Sequence, residues 1–144
     1  MIIHTTAEGI TLTKKLENEA TSFYEGLAQK YPQGAETFLS LAKDCQKYAV
    51  QIEMAYYSVI SDAIEGCFAF NLETDKYSLD TGLAAKASYP DAVKKVIRVE
   101  ETLTRFYTDA AQQCETVMAD VPRVMKLVVQ KRTKRKPELA ALLA

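Results

Sequence analysis

The chain has 144 residues, 48% of them hydrophobic and 26% charged, and a formal net charge of −1. That composition suits one soluble globular domain over residues 1–144, and no apolar run approaches the ~20 residues needed to span a bilayer. Met1 to Thr6 lacks the basic start and apolar core of a secretory signal, and three scattered cysteines, Cys45, Cys67 and Cys114, point to reduced thiols in a cytoplasmic protein, not to a disulfide frame or a zinc site.

In chain order, Met1 to Ile10 reads as a short, extended leader. Thr11 or Thr13 can cap a first helix over 11–30, stopped by Tyr31-Pro32-Gln33-Gly34. Its inward positions are Leu16, Ala20, Phe23 and Leu27, with Glu17 and Tyr24 beside them. A second helix over 34–64 carries the stripe Phe38, Leu41, Cys45, Tyr48, Ile52, Ala55, Val59, Ala63, in steps of three and four. Residues 65–88 change character. Phe68, Phe70 and Leu72 alternate with smaller or polar residues, as do Tyr77 and Leu79, which suggests short extended segments in a crossover too long for a tight turn. The Phe68/Phe70/Leu72 strip reads as cover for the core or as a dimer face.

Ser88-Tyr-Pro-Asp91 opens a third helix over 89–118 with a cap, a first-turn proline and an acid at the third position. Asp120 caps a fourth helix over 121–136, which Pro137 should break. Helix, turn, helix, long crossover, helix, turn, helix is an all-α pattern of two antiparallel hairpins, a four-helix bundle. Residues 1–120 carry 11 Lys/Arg and 18 Asp/Glu, whereas 121–144 carry seven Lys/Arg and one acid. The basic run Lys131, Arg132, Lys134, Arg135, Lys136 reads as a solvated helix end near the favourable pole of the dipole. Its alternative is a surface for nucleic acid or an acidic partner, although it has no interleaved aromatics for stacking bases.

One motif occurs twice. Glu17 precedes Tyr24 by two helical turns, and Glu100 precedes Tyr107 by the same interval, with a Phe before each Tyr. Each Glu therefore shares a face with its Tyr. In the second copy that face is otherwise apolar: Val93, Val96, Leu103, Ala110, Cys114 and Val117. Two carboxylates so placed cannot both stay charged cheaply, because desolvation and like charge raise at least one pKa. A shared proton, tyrosine hydroxyls or a cation from the fourth helix can resolve this. Equal advance along that hairpin sets facing residues to sum to about 239, which puts Arg135 about one turn from Glu100 and makes it the nearest long cation.

With Phe23-Tyr-Glu-Gly-Leu-Ala-Gln-Lys-Tyr-Pro32 and Phe38-Leu-Ser-Leu-Ala42, these residues resemble the rubrerythrin branch of the ferritin-like proteins over nearly the whole length. The resemblance implies a ferritin-like bundle, a di-iron centre and reduction of peroxide or oxygen. In that family two helices each give a Glu and two each give Glu-x-x-His. Glu17 and Glu100 match the single-Glu positions as metal ligands, with Tyr24 and Tyr107 as aromatic neighbours. Elsewhere the chain departs from the pattern. Cys45-Gln-Lys-Tyr48 stands where Glu-x-x-His would be. Equal advance in the first hairpin, where facing residues sum to about 66, sets Tyr48 beside Glu17 in the place of a ligand His. Residues 121–137 contain neither Glu nor His, and rubredoxin-type cysteine pairs are absent. Glu53 could substitute as a ligand but reads better as an exposed acid, and Cys45 and Cys114 as small core residues. The expectation is a non-enzymatic binding or structural protein with a degenerate site and no cofactor, forming a homodimer and binding an unnamed protein partner. Its alternatives are an iron-dependent oxidoreductase using Glu17 and Glu100, and a basic-tail binder.

Overall fold

The structure, a computed structural model, describes residues 1–58 and 66–143. Its elements are strand β1 (Ile2–Thr5), helix α1 (Thr6–Lys30), a 3-10 turn (Pro32–Gly34), helix α2 (Ala35–Tyr57), strand β2 (Phe68–Glu73), a second 3-10 turn (Thr74–Tyr77), helix α3 (Tyr89–Cys114) and helix α4 (Val121–Ala141). α1 packs along α2 and α3 along α4; the two hairpins join through α1 against α3 and α2 against α4.

The helix starts follow local chemistry. α1 begins five residues before the expected cap, because Thr5 and Glu8 form a capping box: Glu8 N–H donates to Thr5 Oγ1 at 3.1 Å and Thr5 N–H to Glu8 Oε1 at 3.0 Å. Two otherwise orphaned amides are satisfied together. Thr13 is instead a buried mid-helix residue whose hydroxyl donates to Gly9 O. Ser88 and Asp91 make the expected capping box of α3.

α2 is described to Ser58, with its stripe buried from Phe38 to Ala55; Val59, Ala63 and the expected end at residue 64 lie outside the described residues. α3 ends at Cys114, one turn early. α4 does not break at Pro137 but runs on to Ala141. A proline inside a helix costs ~3 kcal/mol. Here packing offsets that cost: Leu139 is buried beyond the proline, and Arg135 before it donates to Asp44 Oδ2 of α2 at 2.7 Å and to Glu138 at 3.2 Å.

The crossover is a strap over α1 and α3. β2 pairs antiparallel with β1, Ile3 opposite Leu72, so the leader is half of a two-stranded sheet. At that end Thr6 N–H donates to Cys67 O. At the far end of α1, Tyr31 Oη donates to Ala87 O at 2.7 Å and Lys30 Nζ to Ala84 O at 3.1 Å. Phe70 and Leu72 are buried as core cover, whereas Phe68 is 70% exposed and stacks on His4. At Asn71, β2 is met by a side chain of α3: Asn71 N–H donates to Gln113 Oε1 at 2.7 Å, and Gln113 Nε2 to Asn71 O at 3.3 Å.

Two glycines of α1 differ in their surroundings. A Cβ on Gly9 would run into the ring of Phe70, whereas one on Gly26 meets nothing within 4 Å. Gly26→Ala should therefore stabilise the fold by about 0.5–1 kcal/mol through helix propensity. Gly9→Ala should lose about 1 kcal/mol net, because overpacking costs about 1–3 kcal/mol against a similar helix gain of about 1. Urea unfolding of the two variants checks the difference in sign.

Candidate functional site

The internal repeat folds into a reciprocal pair. Tyr24 of α1 donates its hydroxyl to Glu100 Oε2 of α3 at 2.5 Å, and Tyr107 of α3 donates to Glu17 Oε2 of α1 at 2.8 Å. Each carboxylate is thus served by the tyrosine of the other copy. That exchange needs α1 and α3 antiparallel, so that the Glu of one lies level with the Tyr of the other.

The remaining partner comes from α4, and it is Arg132, not Arg135. Arg132 Nη2 and Nη1 donate to the two oxygens of Glu17 at 2.6 and 3.1 Å, and Nε donates to Glu100 Oε1 at 3.3 Å. Nη2 also lies 3.4 Å from Cys45 Sγ of α2. The guanidinium carbon stands 4.8 Å from the ring centre of Tyr48 and 5.4 Å from that of Tyr107, within cation–π range. All four helices therefore meet at one buried layer. The sequence register was right to within a turn, but helix face decided between the two arginines. Arg132 continues the buried stripe Val121, Met125, Val128, whereas Arg135 sits at the α2 edge with Asp44, Ser40 and Glu138.

Charge and burial compete in this layer. Burial pushes the Glu17 carboxyl up, while Arg132 and the Tyr107 hydroxyl pull it down without cancelling the rise. Burial alone would lower Arg132, but Glu17 and Glu100 outweigh it and hold the guanidinium protonated. Desolvation, followed by Glu100 and Glu17 respectively, drives Tyr24 and Tyr107 well above the ordinary phenol range, so both remain donors. Burial pushes Tyr48 up to about 12 and also raises Cys45, which is a protonated thiol, not a nucleophile.

The other expected site residues are dispersed. Glu53 forms a surface ion pair with Lys14 at 3.1 Å. Of the basic run, Arg132 is buried, Arg135 is tied to α2, Lys136 lies 4.0 Å from Glu101, and Lys131 stands over Tyr48 at 6.0 Å. Lys134 is exposed. The five do not form one basic face.

Two irons, which the resemblance implies, do not fit this donor set. The guanidinium bridges the two carboxylates, no imidazole is near, and among the described residues no group of three or more His, Cys, Asp or Glu is placed to hold a metal ion. No protein-family model matches the chain, and no curated protein or solved structure matches it.

Removing the cation should expose the balance of charges. Arg132→Met leaves two buried carboxylates and should cost about 3–5 kcal/mol at neutral pH. Burial already raises the Glu17 carboxyl, and loss of Arg132 removes what pulls it down, so the folded variant binds a proton there at pH values where the unfolded chain does not. The deficit should therefore shrink as pH falls toward the ordinary carboxylate value and grow as pH rises. Glu17→Gln should cost less than Arg132→Met, because it leaves Arg132 facing Glu100 as a balanced pair. Chemical denaturation from pH 5 to 8 measures both; a pH-independent deficit in Arg132→Met would contradict the assignment.

Proposed function

We propose that the chain is a rubrerythrin-like member of the ferritin-like superfamily whose di-iron position has been taken over by an arginine, and that it acts as a non-enzymatic binding or structural protein. The observation that carries this reading is the Arg132 guanidinium on both repeat carboxylates, at 2.6 Å from Glu17 and 3.3 Å from Glu100. A fixed, always protonated guanidinium supplies the positive charge that two inward carboxylates require, and it needs no metal supply. The reciprocal Glu and Tyr pairs, the up-and-down hairpins and the long crossover support the family assignment. The tyrosines serve as hydrogen-bond donors to the carboxylates, and no reaction is assigned to them. A homodimer belongs to the same reading; a single monomeric species by sedimentation at about tens of micromolar would remove that part.

The experiment is anaerobic addition of ferrous iron followed by air. Divalent iron lies low in the affinity series, and two carboxylates already bonded to a guanidinium offer it little, so no stoichiometric binding is expected. Two irons per chain, with the absorption of an oxo-bridged pair, would restore the oxidoreductase reading. Arg132→Met loaded in parallel separates steric occupation by the guanidinium from loss of ligands: the reading expects no tight iron in this variant either, because the imidazoles are still missing.

A further inference from the structure

The outer face shared by α2 and α4 combines features that the buried cluster does not explain. Val50, Met54 and Tyr57 lie on α2 at helical spacing and are 56%, 65% and 58% exposed. Leu127 of α4, 39% exposed, lines the same groove as Met54, with Gln51 and Val124 between them. Around this strip stand Lys43 and Lys47 of α2 and Lys131 and Lys134 of α4, all exposed. Among the described residues none of the four has a carboxylate within 4 Å, so the positive charge of this face is not neutralised by ion pairs of these lysines. Among the described residues, three acids of α2 and the α3–α4 turn are already engaged: Asp44 by Arg135, Asp120 by Arg123 and Glu53 by Lys14.

We propose that the α2/α4 face is the docking surface for an acidic amphipathic helix of a partner protein. Met54 and Leu127 line a groove between the two helices, with Val50 and Tyr57 continuing the exposed apolar residues of α2 beyond it, and such a groove receives a third helix through anchors spaced i, i+3 or i+4, and i+7. The surrounding unpaired lysines select glutamate and aspartate on the flanks of that helix and steer its approach. A second copy of this chain does not meet the requirement, because a two-fold contact through this face would set lysines against lysines. Met54 suits such a surface, since its unbranched thioether adapts to different neighbours. The inference rests on the reading of the bundle as a binding protein and names the partner's chemistry.

The probe is a fluorescent helical peptide of roughly 18 residues, five turns, with leucine on one face and glutamate flanking it. Its companion carries lysine in place of every glutamate. Fluorescence anisotropy should give a dissociation constant of about 10 μM or tighter for the acidic peptide, weakening with salt, and no binding of the lysine peptide. Leu127→Glu should weaken binding at least about tenfold, as loss of a central anchor does, with unchanged melting because the site is on the surface. Lys47→Glu combined with Lys131→Glu should invert the preference between the two peptides. Equal binding of both peptides, or unaltered binding to Leu127→Glu, would overturn the proposal. So would co-sedimentation with phosphatidylserine vesicles, or retention on duplex DNA, without peptide binding. Ferrous iron added to the same preparation reports separately on the core: peptide binding by a chain that also takes up two irons would overturn the metal-loss reading and leave this surface standing.

Discussion

One buried guanidinium sets the terms for the rest of the bundle. Taking a carboxylate or a guanidinium out of water costs several kcal/mol for each ion, and only good geometry with further hydrogen bonds repays it. Here Glu17 accepts three bonds and Glu100 two, from donors on α3, α4 and α1. Sliding α1, α3 or α4 by one turn, ~5.4 Å, would leave charges buried and unpaired. The apolar stripes alone tolerate such a slip far better, since their steps of three and four repeat along the helix. The ionic layer therefore fixes which turns of α1, α3 and α4 lie level, while the surrounding Val, Leu and aromatic packing supplies most of the drive to collapse.

The parts of this arrangement that were visible in the amino-acid order were those written in periodicity. The Glu and Tyr of each copy, and the apolar residues around Glu100, announce a shared face through spacing alone, and α3 buries that face as the spacing requires. The start of α1 was also present, as Thr5-Thr6-Ala7-Glu8, but Gly9 and two later threonines made a downstream cap look equally good. Gly9 is there for Phe70, more than sixty residues away, and that reason is tertiary. Pro137 misleads for the same cause: local propensity stops the helix, whereas the anchoring of Arg135 and Leu139 carries it on. The choice between Arg132 and Arg135 turned on an angular position that a height estimate does not contain.

The two inward carboxylates and the buried arginine are linked physically. Two carboxylates facing inward from α1 and α3 are tolerable only with a positive charge between them or a proton on one. A metal supplies that charge conditionally, when the cell provides it; an arginine supplies it whenever the chain folds. With a guanidinium bonded to both carboxylates, imidazoles on α2 and α4 would have no metal ion to coordinate. Tyr48 then contributes a ring face to the cation, and Cys45 a small polarizable contact.

The Gln113 side chain against Asn71 bears on the company the molecule keeps. A two-stranded sheet has bare margins, and a bare margin invites a strand from a neighbouring molecule. Beside Asn71 that invitation is withdrawn by a primary amide, which turns one N–H donor and its acceptor oxygen to the strand as a neighbouring peptide group would. Gln113 is planted on α3, so its amide is fixed to the bundle and cannot propagate into a further strand. The crossover thereby keeps an extended, partly aromatic segment at the surface while denying foreign chains a template for fibrillar growth along that margin.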